Sequence, residues 1–260
     1  MPIGSSFKLL THKKLSYFFI KFIGTNDLHS HIRLKPVLYN LKKELNRKKR
    51  LSILEIGCGN GIIAYELLSD NSNFEYLGLD NNLENIKNAK RLLDKYNVDN
   101  ISFTCLNVEN LDVINFKIKF DIILLIDVIE HIGDPDELLQ KLVRQINKNG
   151  KIIISVPTQL YPIIFGKVFH EKVGHLVDGY SLNELDKMLN KTGCEQITCG
   201  YNTGLFSNVG CALFYRIPYF NNYWENIKAL FFIIFRYLDF INNSKVSCSL
   251  FAIYKVKIDN

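Results

Sequence analysis

The chain has 260 residues, 47% of them hydrophobic and 22% charged, which excludes a disordered or fibrous protein and allows one substantial core. A formal charge of +6 from 32 basic and 26 acidic residues is a modest surplus and by itself demands no polyanionic partner. Six cysteines without a C-x-x-C pair or a regular spacing argue against a disulfide framework and for a reducing compartment.

At the amino terminus the apolar patch Leu15–Ile23 is interrupted by Lys21, and no small-residue cleavage site follows, so no signal peptide is expected. Much of the basic surplus lies here, in Lys8, Lys13, Lys14, Lys21, Arg33, Lys35, Lys42, Lys43 and the run Arg47–Arg50. Such a region can meet phosphate, nucleic acid or an anionic membrane, or it can be a solvated helix face. Asp27–Arg50 has a helical pattern. Residues 1–50 are therefore expected to form a helical flank or lid, and residues 51–260 the main domain.

From there short apolar runs alternate with helical patterns. Strands are expected at Ser52–Ile56, Tyr76–Leu79, Ile101–Leu106, Phe120–Ile126 and Lys151–Val156, with helices at Gly61–Leu68, Leu83–Tyr96 and Pro135–Lys148. Nearly continuous Ile, Leu and Val in several strands point to a sheet covered on both faces. Strand and helix repeated at this spacing predict an α/β, Rossmann-like doubly wound sheet with right-handed crossovers. After Pro157 a loop-rich passage through Tyr161, Gly166 and Gly174 precedes a helix, Ser181–Gly193, with a capping box at Ser181 and Glu184 and a glycine stop. Strands near Glu195–Tyr201 and Ser247–Val256 follow, the last expected to run antiparallel. Between them lies an aromatic segment, about residues 219–241, expected to be a helical insertion. Its longest uncharged part, Ala229–Phe235, is too short to span a bilayer, and Arg236 and Asp239 break it further.

The stretch "ILEIGCGNG", Ile53–Gly61, ends the first strand with three glycines at alternate positions. Glycines there let a ligand lie against the backbone beyond the strand ends, at a helix start. The spacing G-x-G-x-G leaves Ile62 where a dinucleotide fingerprint has its third glycine, which counts against a nicotinamide cofactor. Asp80 ends the second strand about twenty residues on, where a carboxylate can accept hydrogen bonds from both ribose hydroxyls.

Together these segments resemble the core of class I S-adenosylmethionine-dependent methyltransferases, and among them the small-molecule group related to ubiquinone-biosynthesis enzymes. "ILEIGCGNG" is similar to the first motif and "GLD" to the second-strand acidic motif. "FDIILLIDVIEHIGDPDELL" is similar to the fourth-strand motif, "GKIIISVP" to the fifth strand and "GHLVDGYSLNELDKMLNKTGCE" to the late helical element. The resemblance covers Leu51–Pro157 and that late element.

It implies S-adenosyl-L-methionine as cofactor. Glu55 and the loop Gly57, Cys58, Gly59 and Gly61 would surround its methionine part, Asp80 its ribose and Asn81 its adenine. Asn107 and Val108 fall where the family often has Asp-Ala beside the adenine. Asp127, or the main chain of Ile126, would lie beneath the sulfonium and amino group. Methyl transfer is an in-line displacement on an activated electrophile, so alignment is the protein's main task. A hydroxyl acceptor adds the need for a general base, for which His131 and His175 are the candidates. Asp127, Glu130 and His131 have i, i+3, i+4 spacing that would converge on a cation if helical. Similar sequences act without one, and no metal is expected. His170 and His175 show no matching ligand cluster for zinc.

The acidic Asp127–Glu130 stretch lacks the stacking motif of base-directed enzymes, which disfavours nucleic acid. The expected acceptor is a small or lipid-linked molecule, with peripheral membrane contact through the aromatic insertion as one option and core packing of that segment as the other. Protein methylation, a nicotinamide-dependent oxidoreductase and a non-catalytic binding protein on the same fold are the remaining alternatives. A cytoplasmic location is expected; the acceptor and the oligomeric state are not legible.

Overall fold

The computed structural model describes residues 28–257 apart from 49, 69–72, 97, 114–115, 117, 167–173, 219, 221–223, 225–226, 229–230, 233 and 240–241. The readings made on Lys8, Lys13, Lys14, Lys21, Leu15–Ile23, Lys49 and His170, and the ends of the insertion at Tyr219 and Ile241, lie outside the described residues.

In chain order the elements are α1 (Leu28–Leu45), β1 (Leu51–Ile56), α2 (Ile62–Leu67), β2 (Phe74–Asp80), α3 (Leu83–Tyr96), β3 (Ile101–Cys105), β4 (Phe120–Ile126) and α4 (Pro135–Val143). Then come β5 (Ile146–Pro157), α5 (Tyr161–Phe165), α6 (Leu182–Lys191), β6 (Cys194–Tyr201), α7 (Leu205–Arg216), α8 (Ile234–Tyr237) and β7 (Ser249–Val256). The strands form one seven-stranded sheet in the order β3-β2-β1-β4-β5-β7-β6. Only β7 runs against its neighbours, β5 and β6; the other pairs are parallel. This is the doubly wound sheet with an antiparallel last strand that the alternation of elements predicts.

Successive side chains on a strand point to opposite faces, so a strand buried on both sides is apolar throughout. Along β1, Leu51 and Ile53 enter one core with α1, α2 and α3, while Leu54 and Ile56 enter the other with α4 and α6. The flank helix α1 shares that first core through Leu34, Val37, Leu41 and Leu45, all nearly inaccessible. Strand order reverses between β1 and β4, which opens a crevice beyond their carboxyl ends.

Three expectations need correction. The helix expected over Pro135–Lys148 stops at Val143, and β5 already pairs at Ile146 with Phe120. A bulge between Phe120 and Ile122, with Asn149 at φ 67°, absorbs the intervening polar residues. Second, α7 stands where no helix was expected. Its N-cap is Gly204, without a side-chain cap; the cap comes from far along the chain, where the Asp239 carboxylate accepts from Gly204 N at 3.0 Å, Ser207 N at 3.0 Å and the Ser207 hydroxyl. Third, within the aromatic insertion every described residue from 224 to 237 is helical, as expected, but Asp239 serves as that cap rather than as part of a wet helix face. The capping box at Ser181 and Glu184 forms as expected, and Gly193 ends α6 at φ 80°.

Candidate functional site

The loop after β1 answers why three glycines stand there. Gly57, Gly59 and Gly61 have φ of 70°, 52° and 74°, a region that strains other L-residues. Their surroundings differ. A Cβ on Gly57 would lie 2.6 Å from Val128 Cγ2 and one on Gly61 2.5 Å from Phe103 Cζ, whereas nothing lies within 4 Å of one on Gly59. The sequence reading bared all three for a ligand; the fold bares Gly57 and Gly61 for its own packing. Gly59 alone of the three opens onto free space.

Cys58 lies between Gly57 and Gly59. Its side chain is 3% exposed and sits in the core beside Gly78, and burial, with Glu55 and Asp80 nearby, pushes its thiol far above the usual range. Its N–H donates to Leu79 O and its carbonyl accepts from Gly61 N, each at 2.9 Å. Cys58 therefore shapes the loop, and its thiol offers nothing to a ligand.

Asp80, at the end of β2, clamps this loop. Its Oδ2 accepts from Gly59 N at 2.8 Å, and its Oδ1 from Asn82 N at 2.9 Å and Asn85 Nδ2 at 3.2 Å. A carboxylate offers about four acceptor positions, so capacity remains for a ligand hydroxyl. Glu55 is buried behind it and accepts from the Tyr76 hydroxyl. Burial first, then the Asp80 charge, hold the Glu55 carboxyl well above the usual carboxylate range. A cationic group arriving there would favour the charged form. Asn60 is 2% exposed, and its Oδ1 has no partner among the described residues.

The loop after β3 is pinned beside this cleft by Leu106 N donating to Asp80 O at 2.9 Å. Asn81 is exposed at its rim. Asn107 is committed locally: its Oδ1 accepts from Glu109 N and its Nδ2 donates to Glu109 Oε2, both at 3.1 Å. That is a cap on the short 3-10 helix Val108–Val113, which occupies one N–H and one lone pair of the exposed amide. Val108 turns its side chain into the core below.

Across the crevice, Ile126 is the last residue of β4, and Asp127 follows in a left-handed conformation, φ 52°. Asp127 N donates to Ser155 O at 2.8 Å, and its carboxylate is paired with the Arg33 guanidinium of α1. The sequence reading counted Arg33 only within the basic surplus; no local signal links it to Asp127. The 3-10 turn Ile129–His131 comes next. Glu130 is fully buried with neither carboxylate oxygen bonded among the described residues, and burial pushes it up to about 8 against the opposing pull of its own backbone N–H and of Arg33.

His131 and His175 meet here, with ring centroids 4.8 Å apart in an edge-to-face arrangement, and Tyr161 lies 5.3 Å from His175. Ligand-type atoms of Glu130, His131 and His175 lie within 4.8 Å of one another. This differs from the sequence reading twice: Asp127 is held away by Arg33, and His175 does have a cluster. His131 Nδ1 is 3.0 Å from the Gly174 carbonyl. A carbonyl only accepts, so Nδ1 carries the hydrogen and Nε2 of the neutral ring keeps its lone pair.

The fold thus gathers Glu55, Gly59, Asp80, Asn81 and the Asn107 loop at one side of the crevice, and Asp127, Glu130, His131 and His175 at the other. The profile of a family described as a methyltransferase domain matches residues 47–199, more than half of the chain. The chain belongs to that family.

Among sequence relatives, the ubiquinone biosynthesis O-methyltransferase of Rickettsia typhi is 32% identical over 126 residues, 48% of this chain and 49% of the relative. The match spans about half the length of that relative and of the corresponding enzymes of Rickettsia akari and Rickettsia prowazekii. Among solved structures, phosphoethanolamine N-methyltransferase 2 of Haemonchus contortus with S-adenosyl-L-methionine aligns at TM-score 0.60 and 18% identity, over 86% of this chain and 53% of that one. The N-methyltransferase NodS of Bradyrhizobium japonicum with S-adenosyl-L-homocysteine aligns at 0.52 and 12%, over 86% and 87%. These two likenesses establish the fold. For a methyltransferase domain the implied cofactor is S-adenosylmethionine, and the residues present fit it: an open Gly59 backbone, an unpartnered buried Asn60 carbonyl, and carboxylates at Glu55, Asp80 and Asp127 for a cationic ligand with a ribose.

Proposed function

We propose that the chain transfers a methyl group from S-adenosylmethionine to a hydroxyl of a small or lipid-linked acceptor, with residues 51–260 as the methyltransferase domain and residues 1–50 as its flank. The single observation that carries the hydroxyl reading is the His131 ring, oriented by Gly174 so that Nε2 can take a proton. When bound, the cofactor supplies a methyl group already activated for displacement. The chain's residues do the rest. Asp80 and the Gly59 main chain hold the ribose end, Glu55 and Asp127 lie where positive charge arrives, and Arg33 stands where a carboxylate can be bound. His131 takes the acceptor's proton, and His175 and Tyr161 flank it with ring faces that exclude water and align a planar acceptor.

The similarity to ubiquinone-pathway O-methyltransferases supports a hydroxylated, apolar acceptor. So does the apolar surface of the insertion, where Phe231, Ile234 and Tyr237 are 64%, 56% and 76% exposed. No described helix is long and apolar enough to cross a membrane, and the membrane contact in this reading is a peripheral one through that surface.

The test is turnover of a panel of catechols, prenylated phenols and amines, followed by release of S-adenosylhomocysteine. O-methylation that is lost in His131→Gln while S-adenosylhomocysteine still binds supports the reading. Turnover of amines alone, or phenol turnover unchanged in His131→Gln, overturns it.

A further inference from the structure

A second cavity, of about 720 Å³, lies between the outward face of α1 and the exposed face of β5, β7 and β6. None of the residues assigned to the cofactor lines it. Its volume is in the range of ligand sites rather than of packing defects.

Its charge is lopsided. Five cations line it against two carboxylates, Glu44 and Asp239, and both carboxylates are already engaged. Glu44 is held by Lys151 at 2.8 Å and Arg47 at 3.3 Å. Asp239 is held by the start of α7. Lys35 and Lys43 form no ion pair among the described residues, and Arg236 shares the already engaged Asp239 carboxylate only through its charge, without a salt bridge among them. Arg236 is half-buried, and its Nη1 is sealed from solvent with no hydrogen-bond partner among them. Lys35 faces it closely enough that the Arg236 charge is the main influence lowering the Lys35 ammonium. Two like charges held together, one with a buried unsatisfied donor, are destabilising unless an anion lies between them. The floor is different in character: Ile153, Ile253 and Phe251 from the central strands and the exposed Ile197 of β6 give it an apolar bed.

We propose that this cavity binds an organic phosphate, with its phosphate between Lys35 and Arg236 and its apolar part over Ile197 and Phe251. A guanidinium and an ammonium lining one cavity suit a compact multivalent oxyanion, and Arg236 can bind it in bidentate fashion. The apolar floor selects a phosphate ester with a carbon body over the free ion. A soluble phosphate ester and a phosphate-headed lipid share this chemistry.

The test uses the full chain. Phenyl phosphate and inorganic phosphate are titrated calorimetrically at physiological salt, and phosphatidylcholine vesicles with and without phosphatidic acid are sedimented with the protein. Binding of phenyl phosphate points to a soluble ester, and binding only to phosphatidic acid vesicles points to a lipid headgroup. In either case the Lys35→Gln/Arg236→Gln variant is expected to lose at least tenfold in affinity while S-adenosylhomocysteine binds as before. Lys35→Gln alone, at an exposed position that donates no hydrogen bond among the described residues, keeps the test readable should the double variant unfold. Failure of phenyl phosphate and of phosphatidic acid vesicles alike to bind, or equal binding by the Lys35→Gln variant, overturns the proposal. Neither result bears on methyl transfer, because the cavity shares no residue with that site.

Discussion

Arg33 of the flank helix and Asp127 after β4 form an ion pair with side chains only 9% and 11% exposed. The pair bolts α1 to the rim of the crevice and sets the charge beside Glu130. Removing one partner leaves the other buried and uncompensated, which typically costs roughly 3–5 kcal/mol. Arg33→Ala is therefore expected to lower the urea midpoint strongly, and Arg33→Met/Asp127→Asn, which removes both charges and keeps a side chain that tolerates the left-handed backbone, to recover much of that loss. A small effect of Arg33→Ala on the unfolding curve would show that the pair is not formed in solution.

The glycine loop yields a separable pair of substitutions. Gly61→Ala drives a methyl against Phe103 and is expected to destabilise the fold by roughly 1–3 kcal/mol beyond its backbone strain. Gly59→Ala meets nothing in the fold and should cost only the left-handed strain, roughly 1–2 kcal/mol, yet it should weaken S-adenosylhomocysteine binding at least tenfold. Thermal melting and calorimetry together check the contrast. Equal affinity in Gly59→Ala would remove that backbone from the cofactor site.

Asp80→Ala removes the acceptor for Gly59 N, Asn82 N and Asn85 Nδ2 at once. Loss of charge-assisted bonds of roughly 1.5–3 kcal/mol each predicts that cofactor affinity falls by two orders of magnitude or more. Isothermal titration with S-adenosylhomocysteine measures it, and a change of less than fivefold would contradict the assignment.

Glu130 makes a pH prediction. Its carboxyl is raised from 4.5 to about 8 by burial, so between those values the unfolded chain ionises there while the folded one stays protonated. The unfolded state then binds fewer protons, and stability from this group is full below about pH 4.5 and lost as pH rises towards 8. Chemical unfolding from pH 5 to 8 should show a declining contribution in the wild type that is absent in Glu130→Gln. Parallel pH profiles of the two proteins would show that Glu130 is ionised when folded.

Phe231 tests the insertion. It is 64% exposed, so Phe231→Ser should leave the melting temperature within a few degrees. Selectivity for prenylated over unprenylated phenols, and vesicle binding, should drop. Unchanged acceptor range and vesicle binding would remove this surface from substrate recognition.

Much of the fold was legible because its signals are local. The apolar runs of β1 and β4, the glycines after β1, Asp80 about twenty residues on, and the capping box of α6 each lie within a few residues of what they specify. Helix α7 was missed because its cap, Asp239, is supplied by a segment more than twenty residues further on. Nor does any local signal mark the side-chain environments of Asn107 and Cys58. The sequence does not show that one amide caps its own turn, or that one thiol points into the core.

By itself the sequence determined the α/β class, the order of elements, the antiparallel last strand and the cleft where a nucleoside cofactor fits, since alternation and glycine spacing are written along the chain. Only the tertiary structure decided which glycine faces open space, that Arg33 reaches Asp127, that His175 joins His131, and that Lys35 faces Arg236. Each of those is a pairing between distant segments, fixed by how helices pack across a sheet rather than by any local preference of the residues involved.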